Sequence, residues 1–396
     1  MRIFIPAKLA VAWLTLFLVG TELFVFSPLL PGLAADYHVS AAVAGLSVTT
    51  SSSAYMICAP LFGHLSDRVG RRRILIWSLL AVSAANIFTA TAANLPSLLA
   101  ARLLAGTAAA GVSPSIYALV GSAAPPNRRA TWLALAVSGL LVSLAGASAG
   151  SLVRAVYGAP MLFLALAGSS LVLVWLNRLT WPRERGGAAL ARPDTPLTSL
   201  PTAVLARRLI PMVVWSTGLY AVYTYLGAGL GAFGFSTGQT AAAILFYGFG
   251  AVAGVLVGGR AADRFGTKFT TSASLAGLSG CLLLLRMALD ADRFVGPTLG
   301  LSAAVAQLFF PAQQAGLAND FPGRRATVLA WNNSALFLGI SLGSLVGGQA
   351  LALASFDANL TIAAVIAFFG CILNVILVPG RGRFRVERND GRQLPS

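Results

Sequence analysis

Apolar residues run in blocks along the whole chain, separated by short polar intervals. Each block is about 20 residues long, the length that carries a helix across ~30 Å of hydrocarbon at 1.5 Å per residue. The pattern predicts twelve spans, at 9–30, 41–62, 74–93, 97–120, 130–153, 159–177, 209–230, 239–258, 270–289, 295–318, 327–351 and 358–379. Within a block the apolar residues are continuous rather than alternating. That favours helices, which satisfy their own backbone in lipid, over a membrane β-barrel. The expected fold is an all-α membrane protein with twelve transmembrane helices in two pseudo-symmetric six-helix bundles.

The longest polar interval, 178–208, is rich in Pro, Gly and charge and divides the spans six and six. The expected organisation is an N-terminal bundle at 1–180, a cytoplasmic linker at 181–206, a C-terminal bundle at 207–380 and a basic tail at 381–396. Two motifs repeat at one offset. Gly63-His-Leu-Ser-Asp67-Arg68-Val-Gly70-Arg71-Arg72-Arg73 returns 196 residues later as Gly259-Arg-Ala-Ala-Asp263-Arg264-Phe-Gly266-Thr-Lys268. Pro126-Asn-Arg-Arg-Ala-Thr131 returns as Pro322-Gly-Arg-Arg-Ala-Thr327. Two matches at one spacing mark a duplicated unit.

Composition agrees with the spans. Hydrophobic residues make up 57% of the chain and charged ones 10%, with a mean hydropathy of +0.79; a soluble domain carries about 25% charged residues. The net charge of +16 would point to nucleic acid in a soluble protein. Its distribution removes that reading. With the N-terminus in the cytoplasm, the loops facing inward hold Arg2, Lys8, Arg68, Arg71, Arg72, Arg73, Arg128, Arg129, Arg178, Arg183, Arg185, Arg192, Arg207 and Arg208. They also hold Arg260, Arg264, Lys268, Arg324, Arg325, Arg381, Arg383, Arg385, Arg388 and Arg392, leaving only Arg102, Arg154, Arg286 and Arg293 elsewhere. The positive-inside rule then predicts both termini in the cytoplasm of a bacterial inner membrane, with a secondary attraction to anionic lipid. The N-terminus mimics a secretory signal, but its apolar stretch is too long for one and more spans follow, so it is expected to stay uncleaved. Cys58, Cys281 and Cys371 lie in separate spans without metal or disulfide spacing. No cofactor and no metal are expected.

The first repeated motif joins spans two and three. Gly63 and Gly70 are expected to allow a tight reversal and close helix approach. A polar turn with topology-setting arginines is the plain reading. It leaves unexplained an acid kept among arginines in both halves. A carboxylate there can face the positive N-terminal end of a helix in the opposite half. The second motif marks two such helix starts, spans five and eleven, so Asp67 is expected to face span eleven and Asp263 span five. The expected cytoplasmic gate comprises Gly63, Asp67, Arg68, Gly70, Arg71, Arg72, Gly259, Asp263, Arg264 and Gly266.

These residues carry a resemblance over nearly the whole chain: it resembles the major facilitator superfamily. Leu98-x-x-x-Arg102-x-x-Ala105-Gly106 is similar to the span-four signature, with Ala105 in place of the usual glutamine. Gly139 and Gly146-Ala-Ser148-Ala-Gly150 in span five resemble the antiporter signature, with Ser148 where a proline is expected. Tyr223-Thr-Tyr-Leu226, Gly258–Asp263 and Asn332–Gly339 resemble the arabinose-efflux-permease branch of the drug/proton antiporters. The resemblance implies a secondary transporter working by alternating access, with export of drugs, sugars or metabolites and multidrug resistance among the expected roles.

Glu22 is the only acidic residue deep inside a predicted span. A carboxylate in hydrocarbon costs several kcal/mol unless paired or protonated. Arg102 in span four is its natural counter-charge, so Glu22 and Arg102 are the candidate proton-coupling pair. A static ion pair, or a Glu in a wet vestibule, is the alternative. Tyr55, Tyr117, Tyr220, Tyr223, Tyr247, Gln313, Asn332 and Asn333 are candidates for a central cavity, where aromatics with a few amides suit organic ligands. For any one of them, an interhelical or belt role competes. Pro28 and Pro31 are expected to end span one.

The expected function is proton-coupled efflux of small organic molecules by a monomer, with protons, substrate and membrane lipid as partners and no nucleic acid. The alternative is a proton-coupled importer or a facilitator of a small nutrient. A membrane-embedded enzyme is remote: no His-x-x-x-His or paired acids are present, and the Gly-x-Ser-x-Gly matches at 146–150 and 339–343 fall inside predicted spans five and eleven, with the only histidines, His38 and His64, in loops. No Gly-x-x-x-x-Gly-Lys-Ser/Thr occurs, which argues against ATP as the energy source.

Overall fold

A computed structural model describes residues 7–125, 129–182, 202–290, 292–321 and 325–378, with the backbone alone at 67, 129–131, 134, 141, 145, 202, 292, 325 and 326. Among these residues the protein is helical throughout, without a strand. Span one is α1 (Ala7–Phe24) with α2 (Phe26–Asp36), and span two is α3 (Ala41–Ala44) with α4 (Leu46–Val69). Spans three and four are α5 (Arg71–Ala90) and α6 (Leu95–Ala123). Spans five and six share α7 (Arg129–Thr180), whose 52 residues extend to roughly 78 Å at 1.5 Å each, far beyond one bilayer. Gly158 divides them with a φ of 84°, a left-handed backbone that side chains with a Cβ resist.

The second half repeats the plan. It holds α8 (Thr202–Ala232), α9 (Thr237–Phe265), α10 (Thr267–Ala288), α11 (Asp292–Gln307) with α12 (Phe309–Asp320), α13 (Arg325–Leu353) and α14 (Phe356–Leu377). The twelve predicted spans are all present. Neighbours match as well: span one packs on five, two on four and three on six, as seven packs on eleven, eight on ten and nine on twelve. Across the two halves, span one meets seven, two meets eleven and five meets eight. Most of the linker and all of the tail lie outside the described residues.

Span one departs from expectation. Neither Pro28 nor Pro31 ends it; the helical path passes through Val25, whose φ and ψ of −66° and −23° are helical, and continues to Asp36. Proline lacks the N–H that would bond the carbonyl four residues back, and its ring crowds that carbonyl. Pro28 therefore acts on Phe24, one turn upstream of itself. Pro311 stands in the same relation to Gln307.

Glycine sets how closely spans approach. A Cβ at Gly139 would run into the Trp13 carbonyl, one at Gly146 into Thr21 and Phe17, and one at Gly150 would come 2.7 Å from Val25. The antiporter-like glycines thus form the seam between spans five and one. Gly339, Gly343 and Gly347 do the same for spans eleven and seven, against the carbonyls of Val213, Thr217 and Ala221. Gly70 and Gly266 take positive φ, 107° and 90°, at the turns after spans two and eight. Gly63 and Gly259 have open space where a Cβ would be. The expected close approach at Gly63 is therefore not made in this conformation; the reversal rests on Gly70.

Candidate functional site: the axis between the halves

Glu22 sits two residues before the end of α1, and Arg102 eight residues into α6. The small residues between spans one, five and four let α1 sink far enough for the two side chains to meet. Arg102 Nη1 donates to Glu22 Oε1 at 3.1 Å, with both side chains 5% exposed. The guanidinium also lies 4.1 Å from the centroid of the Phe26 ring. The pair is therefore desolvated on all sides, which makes each charge dependent on the other. Glu22 Oε2 and Arg102 Nε remain buried without a hydrogen-bond partner. The Asn86 side chain of span three also faces this carboxylate.

Four aromatic rings gather where span one meets span seven. Tyr223 lies edge-on to Phe24 at 5.6 Å between centroids, 6.0 Å from Tyr220 and 5.0 Å from Tyr247. Pro28 leaves the Phe24 carbonyl without its helical donor, and the Tyr223 hydroxyl donates to it at 3.1 Å. Ser27 Oγ donates to the Tyr223 carbonyl. Span two meets span eleven through Tyr55 stacked on Phe337 at 3.6 Å. The Ser53 and Ser341 hydroxyls are 2.7 Å apart, and Ser344 Oγ donates to the Gly45 carbonyl at 2.9 Å. The Ser27–Tyr223 and Ser344–Gly45 links lie in the half of the bundle away from the Gly70 and Gly266 turns, and the Tyr55–Phe337 stack lies near the middle. That end is closed.

The other candidates separate. Tyr117 and Asn333 are half-buried. Asn332 is fully buried with both amide atoms unpartnered. Gln313 points elsewhere: its Nε2 donates to the Arg208 carbonyl at 2.7 Å, beside the Arg208–Asp320 ion pair, joining spans ten and seven within one half. At the gate, Asp263 is exposed and forms no ion pair with a described residue. Arg68 is exposed, Arg71 reaches the Ala118 carbonyl at 3.5 Å, and Arg264 lies over Phe265. The Asp67, Arg129, Thr131 and Arg325 side chains, with Arg128 and Arg324, lie outside the described residues. The Ser27–Tyr223 link and the Ser53–Ser341 pair escaped the sequence reading because serines in apolar runs carry no periodic signal. The Gly339-x-x-x-Gly343-x-x-x-Gly347 seam was readable as a small-residue stripe.

Twelve spans paired identically in two halves now stand beside the sequence comparison. The model of the Major Facilitator Superfamily matches residues 12–292 and 230–395. The chain belongs to that superfamily. It is a multi-pass integral membrane protein of a transporter family, whose members are not enzymes. It is 29% identical over 342 residues to the MFS-type transporter YceJ of Bacillus subtilis (strain 168), covering 84% of this chain and 86% of the relative. A chloramphenicol resistance protein of Streptomyces lividans is 29% identical over 289 residues, 69% of this chain and 70% of the relative. Among solved structures, a D-xylose-proton symporter superposes with a TM-score of 0.80 at 17% identity, covering 94% of this chain and 98% of that one. The last likeness concerns the fold alone.

Proposed function

We propose that this transporter exports small organic molecules in exchange for protons, with Glu22 carrying the proton. The observation behind this reading is the Glu22–Arg102 pair: a buried carboxylate with one oxygen bonded to a guanidinium. Protonation of Glu22 would release Arg102 from its partner inside a low-dielectric interior, an electrostatic change large enough to couple to helix packing. Two residues along the same helix, Phe24 joins the Tyr220–Tyr223–Tyr247 rings, which suit an aromatic or partly apolar ligand. Resistance to chloramphenicol, named for one relative, supports export over import.

In this reading residues 1–180 and 207–380 rock as two bundles in the inner membrane of a bacterium, with both termini cytoplasmic. The outer end is tied by Ser27–Tyr223 and Ser53–Ser341. The Asp67 and Asp263 loops hold the cytoplasmic end when that end closes.

The test uses a strain overexpressing the protein, challenged with a panel of toxic compounds and metabolites with and without a protonophore. Protection that vanishes with the protonophore, and with Glu22→Gln in protein still present in the membrane, is the expected result. Protection that persists under both conditions refutes proton exchange and favours facilitation. Sensitisation by overexpression indicates import.

A further inference from the structure

A cavity opens on the flank of the first half, where span three begins and span six ends. It has a volume of about 470 Å³ and is lined by Arg72, Arg73, Ile76, Trp77 and Arg178. Three guanidiniums line one concavity, and Arg73 and Arg178 form no ion pair with a described residue. Trp77 is 57% exposed, roughly 9 Å along α5 from its start, the depth at which tryptophans sit between headgroups and acyl chains.

The duplicated half supplies an internal control. Arg72 Nη2 donates to the Arg178 carbonyl at 2.8 Å, and Lys268, 196 residues on, donates to the Val375 carbonyl at 2.8 Å. A single cation thus caps the end of the neighbouring span in each half. The remaining cations are absent from the second half. Arg73 corresponds to Phe269, Trp77 to Ala273 and Arg178 to Asn374, whose amide is bonded to Thr271 and Ser272. Helix capping therefore accounts for Arg72, whereas the cluster of Arg73, Arg178 and Trp77 is particular to the first half.

We propose that Arg73, Arg178 and Trp77 form a binding site for the phosphate headgroup of an anionic membrane phospholipid, present on the first half only. Guanidiniums bond phosphate oxygens through paired N–H groups, and the indole with Ile76 offers an apolar floor to the glycerol and upper acyl chain. A lipid held on one flank by spans three and six biases whichever tilt of the first half presents the cradle to the headgroup layer. The inference rests on membrane insertion and on the asymmetry of the halves, not on the export reading.

Purified protein in phosphatidylcholine vesicles doped with brominated phosphatidylglycerol, or with brominated phosphatidylcholine, tests it through tryptophan fluorescence. The Trp77 contribution is isolated by difference from Trp77→Phe. Preferential quenching of Trp77 by the anionic lipid is expected, falling by about fivefold for each of Arg73→Gln and Arg178→Gln, the equivalent of about 1 kcal/mol per basic residue. Lys substitutions at both positions should retain most of the preference, and Lys268→Gln should leave it unchanged. Equal quenching by both lipids, or loss of the preference in Lys268→Gln, overturns the proposal. So does its abolition by inorganic phosphate at ionic strength matched with chloride, which would make the cradle a site for soluble anions.

Discussion

Ser27 donates its hydroxyl proton to the backbone carbonyl of Tyr223, and the two positions stand 196 residues apart, the spacing at which both loop motifs recur. Equivalent points of the duplicated unit therefore touch each other. Such a contact falls on the pseudo-two-fold axis that relates the halves, at the crossing of spans one and seven. Tyr223→Phe removes the bond to the Phe24 carbonyl, and Ser27→Ala the bond to Tyr223. Each should weaken outer closure by about 1 kcal/mol. Labelling of a cysteine placed at Tyr220 by a membrane-impermeant maleimide from the outer face should rise several-fold in both variants. Unchanged labelling would show that the crossing does not govern opening.

Arg102→Ala should be more damaging than Glu22→Gln. It leaves a buried carboxylate with neither of its oxygens bonded to a cation, a loss of about 3–5 kcal/mol for one half of a buried pair. Thermal unfolding in detergent should show a marked fall for Arg102→Ala and a partial return for Glu22→Gln combined with Arg102→Gln. If the double variant loses as much as the two single variants added together, the pair is not energetically coupled.

The hydroxyls of Ser53 and Ser341 already meet across the halves. With Cys58, Cys281 and Cys371 replaced by serine, Ser53→Cys with Ser341→Cys should cross-link under mild oxidation. The bond should halt transport, and reductant should restore it. Transport that continues at the full rate with the bond formed would mean that spans two and eleven need not part.

Gly139 has no room for a methyl group beside the Trp13 carbonyl, nor has Gly343 beside that of Thr217. Gly139→Ala and Gly343→Ala should each destabilise by about 1–3 kcal/mol through overpacking. Gly63→Ala and Gly259→Ala, with open space at the same atom, should stay within about 0.5 kcal/mol of the parent. Melting temperatures of the four variants in one detergent check the contrast. A transport defect in Gly63→Ala without loss of stability would reveal a tighter packing of that loop in the opposite conformation.

Span count, duplication and the Glu22–Arg102 pairing were legible because each leaves a mark in one dimension. A bilayer dictates block length, and an intramembrane acid needs a cation within reach. The role of Pro28 was not legible. A proline removes one helical hydrogen bond without having to end the helix, and the carbonyl that Pro28 orphans is bonded by Tyr223, far along the chain. Gln313 looked like a cavity amide because sequence gives its residue type and not its direction; the Arg208 carbonyl claims it. The Arg73–Arg178 cradle joins two helix ends more than 100 residues apart, so their arginines read only as topology.

Pro28 has no counterpart at the equivalent place in span seven, where Thr224 occupies the matching position and keeps its backbone N–H. The two copies have therefore diverged at their crossing: span one lacks one rung of its hydrogen-bond ladder two residues past Glu22, and span seven does not lack the matching one.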